Sequence, residues 1–362
     1  MTDKNHPDET VLTIVQGKGT LPREQAGRNI HYDDASLSNY KMVQKGDFII
    51  HLRSFEGGLE MANENGIVSP AYTILRGKKP HSSRFYEAYF HTDEFVNHVL
   101  SKSVEGIRDG RQISYDAFKW LGLPYCSPSE QAKIAELFSV LTKRIEKQTV
   151  LVDSLKKYKR GVTAKLIAAI EEKYPVVRLG DHVTVMRGGS PRPIDAYITN
   201  AENGIRWIKI GDALPDQLYI SDTKEKIKPE GAKKSRRVYA GDLILSNSMS
   251  FGRPYILKVD GCIHDGWLLI RDEEKKFDKR FLCFYLASDV TLAQYKKYAA
   301  GSCVNNLNSE LVASVEIGMP PIEQQIRMAN ILEKIDRQVE AASTMYLLLS
   351  KLRSSLLQQL FI

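Results

Sequence analysis

The sequence predicts an α/β (α+β) chain: two mixed α/β domains separated by two long helices that form an antiparallel coiled coil with a pseudo-twofold internal repeat. Three observations lead to this prediction. A strand-rich segment occurs twice, a long helical segment occurs twice, and both helical segments carry the same apolar seam. At 362 residues the chain is long enough for two hydrophobic cores, and a long internal repeat fixes the architecture before any single motif does.

The strand-rich repeat is read directly from the residues. Residues 45–50 (KGDFII) return 195 positions later as residues 240–245 (AGDLIL). At the same offset, residues 66–68 (GIV) return as residues 261–263 (GCI). Short apolar runs between Gly, Pro and Asn turns are typical of β-strands. We therefore expect two related domains with β-rich bodies, each followed by a helical run.

The repeat divides the chain into four parts. We predict a first domain over residues 1–127, a first helical spacer over 128–173, a second domain over 174–321 and a second helical spacer over 322–362. The first domain has no counterpart of residues 177–183 (VRLGDHV). Either this domain is a compact variant, or the start of the chain was shortened or misassigned, and the sequence leaves both possibilities open.

The two helical segments have apolar residues at alternating steps of three and four, which is the a/d pattern of a coiled coil. Lys159 interrupts the first seam, and Arg353 interrupts the second in the same register. Because the seams match, we expect the helices to pair within one chain, although packing on their own domains or homodimerisation would also bury them. The predicted seam and partner contacts are Ile134, Phe138, Leu141, Ile145, Leu155, Leu332, Ile335, Val339, Leu349 and Leu356.

Composition excludes several classes of protein. The start of the chain is polar, and no apolar run reaches the roughly 18 residues of a membrane span. The four cysteines are scattered, which is typical of reduced cytoplasmic thiols and gives no zinc spacing. The net charge of +7 lies mainly in residues 128–321, as expected for a polyanion partner. We expect a cytoplasmic protein without a membrane segment or a metal site.

Enzymatic motifs are missing from the sequence. It has no phosphate-binding loop of the Gly-x-x-x-x-Gly-Lys-[Ser/Thr] type. Pro320 and Pro321 follow Met319, whereas an adenine methylase places Asn or Asp before its prolines. We predict no catalytic residues in this chain.

Several short motifs in a fixed order carry a family resemblance when they are taken together. The second half of the chain contains residues 177–183 with 188–191 (GGSP), 207–212 (WIKIGD), 240–245 and 320–325 (PPIEQQ). In the first half, residues 127–131 (SPSEQ) are the equivalent of residues 320–325. Residues 16–19 (QGKG) and 66–72 (GIVSPAY) belong to the same pattern. Together they resemble the specificity subunit of type I restriction–modification systems.

The resemblance implies a non-catalytic subunit that reads DNA. In that family, two target-recognition domains read the two halves of an asymmetric double-stranded site, and the helices fix their separation. Two methyltransferase subunits bind the helical regions, and restriction (motor) subunits join the complex. The resemblance also implies that S-adenosylmethionine, ATP and magnesium are bound by those partners and that this chain binds no cofactor.

Candidate DNA contacts follow from the side-chain chemistry of polar loops. Arg reads guanine, Asn reads adenine, and small hydroxyls serve either base, whereas Lys and Arg also hold phosphates. The predicted base-reading residues are Arg53, Ser54, Arg108, Arg111, Arg187, Ser190, Arg192, Asn247, Ser248, Arg253, Asn305 and Asn306. The predicted phosphate anchors are Lys233, Lys234, Arg236 and Arg237. A protein-interaction scaffold and a stand-alone enzyme are the alternatives; the basic bias and the missing motifs count against them.

Overall fold

The computed structural model describes residues 3–25, 34–50, 59–105, 112–214, 217–247, 252–299 and 307–361. The chain forms two compact units. Unit 1 comprises Met1–Gln148 and Met345–Ile362, and unit 2 comprises Thr149–Thr344. Each unit therefore contains one strand-rich domain together with a part of each long helix.

The described residues of unit 1 form nine short strands and two short helices. The strands are β1 (Leu12–Val15), β2 (Gly19–Pro22), β3 (Lys41–Val43), β4 (Phe48–Ile50), β5 (Leu59–Met61), β6 (Gly66–Val68), β7 (Thr73–Leu75), β8 (Val104–Glu105) and β9 (Gln112–Ile113). The helices are α1 (Ser83–Phe90) and α2 (Tyr115–Phe118), with a π-helical turn at Glu94–Val99. Strand β4 pairs antiparallel with β5 and β7, and β3 pairs with β6.

The first long helix, α3 (Pro128–Lys173), leads into unit 2. The strands that follow are β10 (Val176–Arg178), β11 (Thr184–Arg187), β12 (Ile198–Thr199), β13 (Ile205–Ile208), β14 (Tyr219–Ile220), β15 (Glu225–Ile227), β16 (Arg236–Val238), β17 (Leu243–Ser246), β18 (Pro254–Leu257), β19 (Gly261–Ile263), β20 (Trp267–Arg271) and β21 (Glu316–Gly318). The helices are α4 (Pro229–Ala232), α5 (Lys279–Leu286), α6 (Asp289–Ala299), α7 (Ser309–Ala313) and α8 (Ile322–Leu360).

Unit 2 is built on two five-stranded sheets. Their strand orders are β11-β20-β17-β18-β14 and β12-β15-β13-β19-β16, and β10 pairs with β21 beside the ends of α3 and α8. Along β17, Leu243 and Leu245 face the core that contains α5, whereas Ile244 faces the core between the sheets. This period-two alternation is that of a strand buried on both faces.

The strand pairing confirms the internal repeat residue by residue. In unit 1, Phe48 lies opposite Leu75 and Met61. In unit 2, Leu243 lies opposite Ile270 and Ile256, which are the same positions 195 residues later. Because a register shift of one residue would turn every side chain to the other face, equal registers indicate the same packing in both domains.

The repeated Gly-Asp turn has the same internal contacts in both units. Gly46 and Gly241 have φ angles of +93° and +88°, a left-handed conformation that glycine adopts without strain. After each glycine, an aspartate carboxylate accepts from an arginine at the end of the neighbouring strand in the sheet: Arg76 donates to Asp47 at 2.6 and 2.7 Å, and Arg271 donates to Asp242 at 2.9 Å. Each turn is thereby joined to the strand that pairs with the one it precedes: the turn before β4 to β7, and the turn before β17 to β20.

A buried glutamine near the start of each long helix joins that helix to its domain. Gln131 Oε1 accepts from the Ser82 backbone N–H at 2.9 Å, and its Nε2 donates to the Cys126 carbonyl at 2.9 Å. Gln325 is equivalent: it accepts from Asp278 N–H at 2.9 Å and donates to the Pro320 carbonyl at 2.9 Å. Ser82 and Asp278 are the N-caps of α1 and α5, so each glutamine fixes the start of the domain's helix.

We expect Gln325→Ala to lower the free energy of unfolding by about 2–3 kcal/mol, because the change leaves the half-buried Asp278 N–H and the buried Pro320 carbonyl without their hydrogen bonds. Gln324→Ala, one position earlier and only half-buried, is the matched control and should stay within about 0.5 kcal/mol of the native chain. Urea titration followed by circular dichroism gives both values. Equal stabilities of the two variants would contradict the proposed role of Gln325.

Burial along the long helices follows the predicted seam. Phe138 in α3 and Leu332, Ile335 and Val339 in α8 are buried. Ile134, Leu141, Ile145, Leu155, Leu349 and Leu356 are half-buried. Tyr346 and Leu360, which continue the heptad pattern, are exposed instead. The apolar pattern therefore predicts the inward face of both helices but overestimates how far burial continues at the end of α8.

Contacts within each unit join the two helices. In unit 1, the ring of Phe138 stacks on Phe361 with centroids 6.2 Å apart, beside Leu357. In unit 2, Lys159 of α3 forms an ion pair with Asp336 of α8, and its ammonium lies 5.3 Å from the centroid of the Phe284 ring. The interruption at Lys159 thus has a charged partner on the facing helix. Supercoiling of the pair remains a prediction.

In the part of the chain that the structure describes, every helix is too short or too polar to cross a lipid bilayer.

Candidate nucleic-acid interface

Seven predicted DNA contacts lie outside the described residues. They are Arg53, Ser54, Arg108, Arg111, Ser248, Asn305 and Asn306. These residues stay predictions. The other five base-reading candidates and the four phosphate anchors all belong to unit 2.

Three segments of unit 2 meet at one edge of its sheets. They are the loop after β11, the end of β17, and the turn His264–Gly266 between β19 and β20. The Gly188 N–H donates to the Trp267 carbonyl at 2.8 Å, and the Asn247 N–H donates to the Gly266 carbonyl at 2.9 Å. Backbone hydrogen bonds therefore hold these segments together without using their side chains.

Asp265 lies at the centre of this loop cluster. Its carboxylate Oδ1 accepts from Ser190 Oγ at 2.9 Å, and Arg192 Nη2 lies 3.6 Å from Oδ2. Its backbone carbonyl accepts from Asn247 Nδ2 at 3.0 Å and from Arg187 Nε at 3.3 Å. Four candidates from two separate loops thus converge on one residue that the sequence prediction did not include. We call residues 187–192, 247 and 264–266 the Asp265 cluster.

The four candidates in the Asp265 cluster differ in how they face solvent. Arg187 and Arg192 are exposed, and Ser190 is half-buried. Asn247 is buried, and its amide is used within the cluster, so in this arrangement it supports the loop and is not presented to a ligand. The structure thus presents Arg187 and Arg192 as the outward-facing pair.

The predicted phosphate anchors lie beside the Asp265 cluster. Arg236 Nε donates to the Arg187 carbonyl at 3.3 Å, and Lys234 Nζ donates to the Tyr197 hydroxyl at 2.6 Å. Lys233 and Arg237 are exposed. Cationic side chains next to polar loops are the arrangement that DNA-binding surfaces use: phosphate contacts set the position, and base contacts set the sequence.

Arg253 is placed differently from the other candidates. Its guanidinium lies 5.7 Å from the centroid of the Tyr255 ring, and it lines a cavity of about 710 Å³ together with Lys156 and Arg160 of α3. The adjoining Gly252 has a φ of +73°, and an added Cβ would lie 2.7 Å from the Tyr295 ring. The described contacts do not bring Arg253 into the Asp265 cluster.

In unit 1, a Gly-Lys-Gly turn is anchored by a buried carboxylate. Glu60 accepts from the N–H groups of Gly17 and Gly19 at 2.7 and 2.9 Å, and His91 Nε2 lies 3.3 Å from Oε1. Burial raises the pKa of Glu60, but the hydrogen bonds from His91, Gly17 and Gly19 outweigh it and keep the pKa below its ordinary value. The exposed Lys18 therefore projects from a fixed turn.

This anchor should depend on pH. Burial lowers the pKa of His91, but its hydrogen bond to Glu60 outweighs burial and raises the pKa above the ordinary 6.5. The stabilisation by charged His91 is complete below about pH 6.5 and is lost as the pH rises through the raised pKa. We expect His91→Gln to destabilise the chain by about 1 kcal/mol at pH 6 and by less at pH 9.

Thermal unfolding at both pH values checks the His91 prediction. His98→Gln removes an exposed histidine from the same unit and serves as the control. A loss from His91→Gln that is equal at pH 6 and pH 9 would contradict the ion pair with Glu60.

The sequence prediction missed His264, Asp265, Glu60 and His91. An adjacent imidazole and carboxylate, His264 and Asp265, in the turn between two apolar strands were a visible signal for the first site. Glu60 had a weaker signal, since a single carboxylate in an apolar strand does not identify its partners. Among the described residues, no group of three or more His, Cys, Asp and Glu side chains is arranged to hold a metal ion.

Comparisons with known proteins agree with this architecture. The family model for the type I restriction modification DNA specificity domain matches residues 171–345. The chain is 23% identical to the MjaX type I restriction enzyme specificity subunit of Methanocaldococcus jannaschii, over 92% of this chain and 81% of that protein. It is 22% identical to the MjaVIII specificity subunit of the same organism, over 83% of this chain and 74% of that protein.

Two solved structures share the fold. The type I restriction–modification S subunit from M. genitalium aligns with a TM-score of 0.63 at 14% identity, over all of this chain and 96% of that one. A chain from a study of complex assembly and conformational transition of the type I R–M system aligns with a TM-score of 0.57 at 18% identity, over all of this chain and 94% of that one. Residues 171–345 thus match the DNA specificity domain of type I restriction–modification systems, and the chain as a whole is similar to specificity subunits of those systems.

Proposed function

We propose that this chain is the DNA-reading subunit of a type I restriction–modification complex and that it recognises a bipartite double-stranded site. The observation that carries the proposal is the Asp265 cluster, where two exposed arginines lie next to the basic residues of β16 and the loop before it. Support also comes from the specificity-domain match, which covers the whole cluster. The register-matched β-rich body of unit 1 would present the other half of the reading surface.

Catalysis would belong to partner subunits. We propose that two methyltransferase subunits and the restriction subunits associate with this chain and that they bind S-adenosylmethionine, ATP and magnesium. The described thiols do not favour nucleophilic chemistry here, because burial raises the pKa values of Cys262 and Cys283. The chain would contribute recognition and assembly.

An exposed apolar stripe on α8 supports the assembly role. In unit 1, Met345, Leu348 and Leu352 are exposed at steps of three and four residues and therefore share one helix face. Leu347 in the same helix segment is also exposed. We propose that a methyltransferase subunit covers this stripe, which we call the α8 stripe.

A selection experiment tests the proposed function. The chain is co-purified with its methyltransferase subunits, incubated with a pool of randomised duplexes and separated from free DNA, and the bound fraction is sequenced. We expect two short enriched half-sites at a fixed separation. An enriched pool without any common sequence, or no retention of duplex at physiological salt, would contradict the proposal.

Two single changes separate sequence reading from phosphate anchoring. Arg187→Ala should relax preference at one position of the site, at a cost of about 1–3 kcal/mol. Lys233→Ala should weaken all sequences equally and reduce the slope of log affinity against log salt by about one. Both are measured by fluorescence anisotropy on selected and scrambled duplexes. The same effect from both variants would contradict this division of roles.

A further inference from the structure

A carboxylate at the centre of a basic surface needs an explanation. Asp265 retains 29% side-chain exposure, so solvent or a ligand can reach it. A negative charge close to DNA phosphates weakens association at that point, because the attraction that drives binding comes from cationic groups. A carboxylate in such a place is compatible with binding when it meets a hydrogen-bond donor of a base.

Base edges offer few such donors. In the major groove, the donors are the N4 amino group of cytosine and the N6 amino group of adenine. A carboxylate only accepts, which suits the cytosine amino group, whereas adenine is read best by an amide that both donates and accepts. The chemistry of Asp265 therefore favours cytosine.

The carboxylate of Asp265 is held in place before any ligand arrives. The Gly266 N–H donates to His264 Nδ1 at 2.9 Å, so the neutral imidazole carries its proton on Nε2. That nitrogen lies 2.9 Å from Asp265 Oδ1, which also accepts from Ser190. Two donors thus fix Oδ1, whereas Oδ2 lies towards the exposed Arg192. Rotation of the Arg192 side chain towards DNA would open Oδ2 without moving the backbone.

We propose that Asp265 is a specificity-determining residue that accepts a hydrogen bond from the N4 amino group of a cytosine in the half-site read by unit 2. His264 and Ser190 are positioning residues that orient the carboxylate. This inference rests on the proposed function. At the equivalent register, 195 positions earlier, unit 1 has Pro70, which has no such acceptor. The effect of Asp265 is therefore confined to one half-site.

The test uses the co-purified complex with its methyltransferase subunits and the selection described above. Asp265→Asn keeps the shape of the side chain and removes the charge. Asp222→Asn removes an exposed carboxylate of the same unit that lies 3.7 Å from Arg206, and is the matched control. We expect Asp265→Asn to lose about 5- to 150-fold of discrimination for cytosine at one position of one half-site, the range that one base contact provides. Asp222→Asn should retain the native site.

A base analogue separates reading from loop support. In a duplex with 2-pyrimidinone at the identified position, the amino group is missing while the ring remains. The native complex should bind the analogue duplex more weakly than the cytosine duplex, by a similar factor. The Asp265→Ala complex should bind the analogue duplex as well as the cytosine duplex, because the variant and the analogue each remove the same hydrogen bond.

The outcomes are distinguishable. Two outcomes would show that Asp265 only supports the loops and that the inference is wrong, given a native complex that selects a bipartite site. In one, Asp265→Asn keeps every base preference; in the other, Asp265→Asn weakens the base preferences of both half-sites together. If the losses of affinity from Asp265→Ala and from the analogue add when the two are combined, they remove different interactions, and the inference is likewise wrong. If the native complex itself selects no sequence, the proposed function fails and this inference fails with it.

Discussion

Leu332→Ala is expected to lower the free energy of unfolding by about 3–4 kcal/mol, the largest stability effect predicted for one side chain. Leu332 of α8 is fully buried in the main core of unit 2, in the same cluster as Ile167 of α3 and Phe281 of α5. The change removes three methylene-sized groups and leaves a cavity where helix, helix and domain meet. Urea unfolding measures the loss, and hydrogen exchange at α8 amides localises it.

The adjacent residue provides the control for Leu332→Ala. Ile331 is 47% exposed on the other face of the same helix turn. Ile331→Ala changes helix propensity and volume by similar amounts but removes little buried surface, so its effect should stay within about 0.5 kcal/mol. If Ile331→Ala costs as much as Leu332→Ala, the seam does not define the inward face of α8.

Leu348→Asp combined with Leu352→Asp is expected to weaken the association with methyltransferase subunits at least about 100-fold. The two leucines are 57% and 47% exposed in the α8 stripe, so charge there should cost the isolated chain little. An interface that covers them would have to bury two unpaired carboxylates. At the centre of an interface, a change of this kind lowers the binding free energy by about 2 kcal/mol or more per residue. Analytical ultracentrifugation of the mixed subunits measures the effect.

Ser354→Asp adds one carboxylate to an exposed position of the same helix, two residues after Leu352 and therefore off the face of the stripe, and is the control for the α8 stripe. It should leave assembly intact. The α8 stripe is not the docking surface if the double variant still assembles at native affinity. Loss of the native circular dichroism spectrum in the double variant would show instead that the stripe supports the fold.

Much of the fold could be predicted from the sequence because it depends on local and periodic patterns. The seam residues Phe138 and Leu332 lie at heptad positions, and the glycines before Asp47 and Asp242 mark identical turns. Tyr346 departs from its pattern because periodicity states which face a residue occupies and not whether a neighbour covers it.

The site was less predictable because its parts come from distant segments. Polar character singled out the loop of Arg187 and the end of β17, but the residue that joins them, Asp265, follows both in sequence by many positions. Asn247 shows the opposite limit. Its chemistry suits adenine, yet its burial and its bond to the Asp265 carbonyl give it a supporting place in the loop, which only three-dimensional contacts reveal.

The buried glutamines bear on how new specificities can arise. Gln131 and Gln325 hold their domains through main-chain atoms alone: the N–H groups of Ser82 and Asp278 and the carbonyls of Cys126, Lys276 and Pro320. Because main-chain atoms are common to every amino acid, the joint places no demand on the side chains of the domain that it holds. A gene exchange with crossovers outside these joints could replace a whole recognition domain and leave its attachment unchanged. The exchange of recognition domains is thus compatible with the way in which these two amide side chains attach them.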